Sequence, residues 1–162
     1  MSTPVVSNSS PIIHLAKIGH LDLLHDQFGE IVIPQAVYEE CVTDGKARPA
    51  VATIKQATWI RVAPVVNKNL IRLLSAEIDR GEAEAIALAL EHQAALILLD
   101  DAEAREKARL YGLKITGILG ILLGAKRTGN IASLTEFLAD LSRTGFWLNP
   151  ALTQRLLREA GE

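Results

Sequence analysis

Residues 81–108 read GEAEAIALALEHQAALILLDDAEAREKA, and a change of rhythm inside this stretch decides the fold. Positions 81–92 are rich in Ala and Leu, both strong helix formers. The run 95–99 is short, wholly apolar and ends on Asp100 and Asp101, which suits a buried strand feeding a helix over 102–111. Helix, short buried strand and helix in that order predict a parallel sheet with crossover helices.

The same alternation extends outward in both directions. Strands are expected at 4–6, 30–33, 59–62, 95–99 and 113–116. The first helix is expected to start with Ser10 as its cap and Pro11 in first position, where a missing N–H does no harm, and to stop at Gly19. A second short helix reads at 21–28, and Pro34 opens one over 35–42. Further helices are expected at 47–56, 67–75, 81–92, 102–111, 117–127, 133–142 and 149–160. The last of them follows Phe146, Trp147 and Leu148, and docking on its own core is expected over docking on a second subunit.

At 162 residues with 49% hydrophobic content, the chain suits a single domain over 1–162 with a substantial core. Cys41 is the only cysteine and lies in an apolar helical pattern, so a buried structural thiol and a reducing compartment are expected. No apolar run reaches the roughly 20 residues that span a bilayer, and the start lacks a basic region followed by an apolar stretch; a cytoplasmic protein that does not engage membranes is expected. A net charge of −2 gives no general attraction to nucleic acid, so any such grip must be local. The cations that could supply it are Lys46 and Arg48 in a loop, Arg105, Lys107 and Arg109 along one helix, and Lys126 and Arg127 at the end of another, though each group also reads as an ordinary solvated face.

The chemistry-bearing residues are carboxylates at strand ends and on apolar helical faces. Ligands of an open parallel sheet bind beyond the carboxyl ends of its strands, a rule that selects Asn8 after the first strand and Asp100–Asp101 after the fourth. Glu40 lies three residues after Val37 and four after Ala36, so it shares their inward face, whereas Glu39 is turned about 100° away. Glu82 stacks with Ala85, Ile86 and Ala89 and points toward the core edge; Glu84 is expected nearer to water. Each acid has a blander reading, Glu82 as a complement to the helix dipole and the aspartates as a cap with a first-turn acid. Carboxylates that converge at a core edge repel one another and lose hydration, and a hard divalent cation relieves both. The histidines, His14, His20, His25 and His92, have no zinc spacing, and His14 is expected to pack. There is no Gly-rich phosphate loop and no nucleophile elbow.

At these residues the chain resembles the PIN-domain nucleases, near the PIN-like proteins that pair with small antitoxins, the VapC-type toxins among them. The segments that carry the resemblance are VVSNSSPIIHLAKIGHLDLL from Val5, VIPQAVYEEC from Val32, GEAEAIALALEHQAALILLDDAEAREKA from Gly81 and LKITGILGILLGAKRTGNI from Leu113. The resemblance implies a three-layer α/β/α sandwich with a central, mainly parallel sheet of four to five strands. It further implies acids that bind one or two Mg²⁺ or Mn²⁺ ions and cleavage of RNA by metal-activated water. Carried over by position, Asn8 stands for the first Asp, Glu40 for the helical Glu, Glu82 for the acid opening the later helix, and Asp101 or Asp100 for the last, Asp101 being slightly preferred. Ser9 or Ser10 would position water or phosphate.

The amide at position 8 lacks the charge that offsets a cation, so weaker metal affinity is expected. Three readings follow: a metal-dependent endoribonuclease, the toxin of a toxin–antitoxin pair silenced by a small antitoxin protein; a catalytically weakened PIN-like module that binds RNA or protein; and an assembly subunit whose acids are merely caps. Homodimers are implied by the resemblance.

Overall fold

Val5, Val6 and Ser7 are buried without a break, and a strand buried on both faces needs helices above and below it. The computed structural model describes residues 3–44 and 49–162 and shows that arrangement. Among the described residues, five strands form one sheet: β1 (Val5–Ser7), β2 (Ile31–Ile33), β3 (Ile60–Val62), β4 (Leu96–Leu98) and β5 (Ile115–Thr116). Every pairing is parallel and the order is β3-β2-β1-β4-β5. The fold is a three-layer α/β/α sandwich, with the five expected strands each found within two residues of their expected bounds.

The chain runs outward from β1 through β2 to β3, then returns across the sheet to place β4 on the other side of β1. The sheet order therefore reverses between β1 and β4, the point at which such sheets bind ligands. Val5 pairs with Leu96, Val6 with Ile97 and Ser7 with Leu98, and the Asn8 N–H donates to the Leu98 carbonyl at 3.0 Å. That register sets Asn8 opposite Leu99, with Asp100 one residue further along, both beyond the strands' carboxyl ends.

The helices that set the site are α1 (Ser9–Lys17), α2 (Asp22–Phe28), α3 (Gln35–Tyr38), α4 (Pro49–Gln56), α5 (Lys68–Leu74) and α6 (Arg80–Glu91). They are followed by α7 (Ala102–Leu110), α8 (Ile118–Arg127), α9 (Leu134–Arg143) and α10 (Pro150–Glu159). Helix α6 lies against β1 and β4 and meets α3, α5 and α7, while α2 lies against β2 and meets α8. Residues 81–89 of α6 are all buried, so this helix is enclosed and has no water face. Helix α10 docks on its own core as expected, through Leu152, Leu156, Leu157 and Ala160.

Two local expectations are corrected. Ser10 does not cap α1: the helix starts at Ser9 with Asn8 in the capping position, extended at φ −80° and ψ 175°, and Pro11 falls third. Pro11 is still within the first turn, where backbone N–H groups have no helical partner, so the proline costs nothing there. The helix expected over 35–42 is α-helical only to Tyr38 and continues as a π-helical turn over Glu39–Thr43, closed by the Asp44 N–H donating to the Glu39 carbonyl at 2.8 Å. Cys41 sits inside that turn, buried as expected, and burial pushes its thiol up to about 12. Positions 46 and 48, two of the expected cations, lie outside the described residues.

Candidate functional site

Asn8 is 5% exposed, and its side-chain oxygen, buried at the end of β1, makes no hydrogen bond. The side chain that could have capped α1 does not do so. Asp100, one step beyond β4's last buried leucine, accepts from the Ile118 N–H at 2.9 Å through one oxygen, while its other oxygen is buried without a partner. Burial raises the pKa of Asp100, and the Ile118 N–H, the Arg105 guanidinium and the Ser10 hydroxyl oppose that rise. The side chains after β1 and β4 thus each present one buried oxygen with no hydrogen bond of good geometry among the described residues, although the Ser10 hydroxyl lies near enough to Asp100 to lower its pKa.

Glu40 reaches the same edge from the π-helical turn. The Ser9 hydroxyl donates to its carboxylate at 2.8 Å, tying α1 to that turn. Gly81 packs so closely on Glu40 that a β-carbon there would collide with the carboxylate, and so the glycine opening α6 is what admits the side chain. Burial raises the pKa of Glu40, the Ser9 hydrogen bond works against this, and Asp79, Asp44 and Glu84 raise it further. Glu39, as expected, is exposed.

Glu82 is 6% exposed in the first turn of α6. It forms a reciprocal cap with Asp79: the Glu82 N–H donates to the Asp79 carboxylate at 2.8 Å, and the Asp79 N–H donates to the Glu82 carboxylate at 3.2 Å. Capping and convergence are therefore not alternatives here, since one side chain does both. Burial, followed by the charges of Asp79 and Asp101, pushes Glu82 up to about 8. Asp101 itself is exposed and caps α7, accepting from the Ala104 N–H at 3.0 Å. Charge coupling runs from Glu40 through Asp79 and Glu82 to Asp101 along one edge.

Glu84 corrects the expectation that it faces water. It is 6% exposed, accepts from the Ala36 N–H at 3.3 Å and pairs with Arg80 at 2.8 Å. Helical periodicity separates an inner from an outer face, and α6 has no outer face. Asp79 was not singled out in the sequence, although the spacing Asp79–Arg80–Gly81–Glu82 ahead of an apolar run is a capping-box signature.

The candidate cations are mostly engaged. Arg105 donates to the Leu99 carbonyl at 3.3 Å beside Asp100, Lys107 pairs with Glu77, Lys126 donates to the Ala132 carbonyl at 2.6 Å, and Arg127 lies 3.9 Å from Glu159. His14 packs as expected. Its Nδ1 meets the Thr144 hydroxyl at 2.6 Å and its ring lies edge-on to Phe146. Thr144 already donates to the Leu141 carbonyl, so His14 is the donor between them.

A three-layer sandwich around a parallel sheet is the architecture that the sequence resemblance implies, and a family model described as a PIN domain matches residues 4–162. The chain belongs to the PIN-domain family. A comparison with curated proteins finds no match. The PIN fold is a nuclease fold, and PIN domains are in general dependent on divalent metal. No helix among the described residues of this PIN domain is long and apolar enough to cross a membrane.

The donor set of this PIN domain fits a hard cation: its side-chain donors are oxygens, two of them buried without partners and three carboxylates held toward their neutral form by burial. Among the described residues, no three His, Cys, Asp or Glu side chains stand together closely enough to hold one ion as they are. Glu40 is drawn to Ser9 and Glu82 to the Asp79 backbone, so an ion would have to compete with those hydrogen bonds.

Proposed function

We propose that this PIN domain is a metal-dependent endoribonuclease that hydrolyses RNA phosphodiesters, with Asn8, Glu40, Glu82, Asp100 and Asp101 holding Mg²⁺ or Mn²⁺. The observation that carries the reading is the pair of unpartnered buried oxygens on Asn8 and Asp100, which follow the neighbouring strands β1 and β4 where the strand order reverses. A buried oxygen without a partner costs about 1–3 kcal/mol, and a cation with its bound water would relieve both. When bound, the ion would supply Lewis-acid polarisation of the phosphate and a more acidic water.

The chain's own residues do the rest. Ser9 holds the Glu40 carboxylate, the Asp79 N–H holds Glu82, and the Ile118 N–H holds Asp100, so the acids are kept at the sheet edge, and taking up an ion would turn Glu40 and Glu82 from those hydrogen bonds. Burial and the charges of Asp79 and Asp101 hold Glu82 toward its neutral form, so taking up a cation would release a proton from it. Cleavage of single-stranded RNA that requires Mg²⁺ or Mn²⁺ and is abolished by Glu82→Gln tests the reading; unchanged cleavage by that variant overturns it.

A toxin role, with a small antitoxin covering the acidic edge and two copies forming a homodimer, belongs to the same proposal. Its support is the likeness of the segments after Val5 and Gly81 to toxin-type PIN proteins. A small open reading frame beside the gene, whose product suppresses the cleavage, tests it. The second reading is a binding module with weakened catalysis, favoured by the amide at position 8, which offers an oxygen but no charge. Asn8→Asp separates the two: a large gain in activity identifies the amide as the limit on an enzyme, and no gain favours the binding module.

A further inference from the structure

Beyond the acids, a cleft of about 350 Å³ opens between the carboxyl end of β5, the start of α8 and the segment leading into α10. Its floor is Asp100 and Gly117, and its walls include Leu119, Phe146 and Trp147. We infer that this cleft is a nucleobase subsite, in which Trp147 stacks on an unpaired base next to the phosphodiester held at Asp100. The inference rests on the ribonuclease reading above and names the part of the substrate that the site recognises.

Three observations carry it. First, Trp147 is 75% exposed, whereas its neighbours are anchored: Phe146 lies 5.2 Å edge-on to His14, and Leu148 packs on the core. An indole held out between two fixed residues is presented to solvent by the fold, and its flat face suits a flat ligand.

Second, the chemistry of the walls matches a base. Leu119, Phe146 and Trp147 offer apolar surface, while Thr116, Arg105 and Asn149 border the same space with polar groups. A planar ligand with apolar faces and polar edges meets both. The volume lies near the lower end of the roughly 300–1,000 Å³ typical of small-molecule pockets, which suits one nucleoside rather than a stacked pair.

Third, the cleft and the acidic edge share a residue. Asp100 lines the cleft and also carries one of the two unpartnered oxygens. A ligand seated here therefore adjoins the acids, where a nucleotide flanking a scissile bond held by the proposed ion would lie. Gly117 keeps the junction open, since a β-carbon there would lie 2.5 Å from the Asp100 carboxylate and 2.9 Å from Arg105.

The test uses the full chain carrying Trp59→Phe, which leaves Trp147 as its sole tryptophan; Trp59 stacks on His25 at the start of β3, away from the cleft. An eight-nucleotide single-stranded RNA carrying a terminal fluorophore is titrated in EDTA; quenching of Trp147 reports contact in the starting protein, and the anisotropy of the labelled RNA reports affinity for every variant. Saturable quenching is expected, with affinity lowered about tenfold by Trp147→Ala and nearly restored by Trp147→Phe. An abasic oligonucleotide of the same length should bind the starting protein about as weakly as RNA binds Trp147→Ala. Equal RNA affinity for Trp147→Ala, in a protein that still cleaves RNA with Mn²⁺, overturns the subsite and leaves the nuclease reading standing. Loss of a dimer on Trp147→Ala with unchanged RNA affinity also overturns it, assigning the face to a second copy. A starting protein that neither binds nor cleaves RNA overturns both.

Discussion

Two groups of carboxylates in this molecule face opposite circumstances. Glu162 accepts hydrogen bonds from the N–H groups of Leu134 and Thr135 and from the hydroxyls of Ser133 and Thr135, with the Lys126 ammonium 3.3 Å away, and the hydroxyl and amide donors hold it down at about 2. Glu40, Glu82 and Asp100, at the carboxyl end of the sheet, are all pushed upward, first by burial. The same functional group is satisfied in one place and left short of positive charge in the other. Glu162 has several donors and a cation, whereas Glu40, Glu82 and Asp100 have fewer donors against greater burial, and that contrast supports the proposed cation.

The sharpest way to break this contrast is Glu82→Gln. Metal-dependent RNA cleavage should fall by more than about a hundredfold, because ligand losses exceed those of supporting residues. In EDTA at pH 8 the same variant should melt no lower than the starting protein, since it removes a carboxylate that burial opposes. Both measurements are needed: a large loss of stability would class Glu82 with Glu162 as a structural group.

Asn8→Asp should come next. A charge added beside Asp100 is expected to tighten Mn²⁺ binding on the order of tenfold by calorimetry, and to lower the melting temperature in chelator. Gly81→Ala should change stability by no more than about 1 kcal/mol, because alanine favours the helix and only the movable end of Glu40 is met, yet it should weaken cleavage because the added methyl displaces the Glu40 carboxylate.

The two groups should also respond to pH with opposite sign. Glu82 titrates at about 8 when folded, against 4.5 in the unfolded chain, so the folded state binds more protons between those values. Its contribution to stability therefore declines as pH rises from about 4.5 to 8, and Mg²⁺ should raise the melting temperature more at pH 8 than at pH 5. Glu162 titrates at about 2, so its contribution is complete above about pH 4.5 and is lost as pH falls toward 2. Glu162→Gln should give the smallest effect, a drop of a few degrees in melting temperature near neutral pH that disappears at low pH.

The parts of the molecule legible in the sequence were those set by local pattern. The run 95–99 ended by two aspartates announced a strand and a crossover, and the rule about carboxyl ends selected Asn8 and Asp100, which follow neighbouring strands. Glu40 was legible because its helical face is half apolar. Glu84 was misread because α6 is surrounded by β1, β4, α3, α5 and α7, and an enclosed helix erases the distinction that periodicity measures. The π-helical turn left no mark, since one extra residue per turn is imposed by packing and not by residue type. Ser10 resembled a cap because Pro11 follows it, yet the strand's end put Asn8 in that position. Asp79 was legible as a capping-box partner of Glu82; attention to acids on apolar faces passed over one lying just before the helix.

Titration calorimetry with Mn²⁺ at pH 7.5, run in two buffers of different ionisation enthalpy, tests most directly whether the acidic edge waits for a cation. Saturable binding below the millimolar range, with protons released to the buffer and with both signals lost in Glu82→Gln, is the expected result. Heats that stay linear into the millimolar range, or saturable binding that survives Glu82→Gln undiminished, would contradict the account.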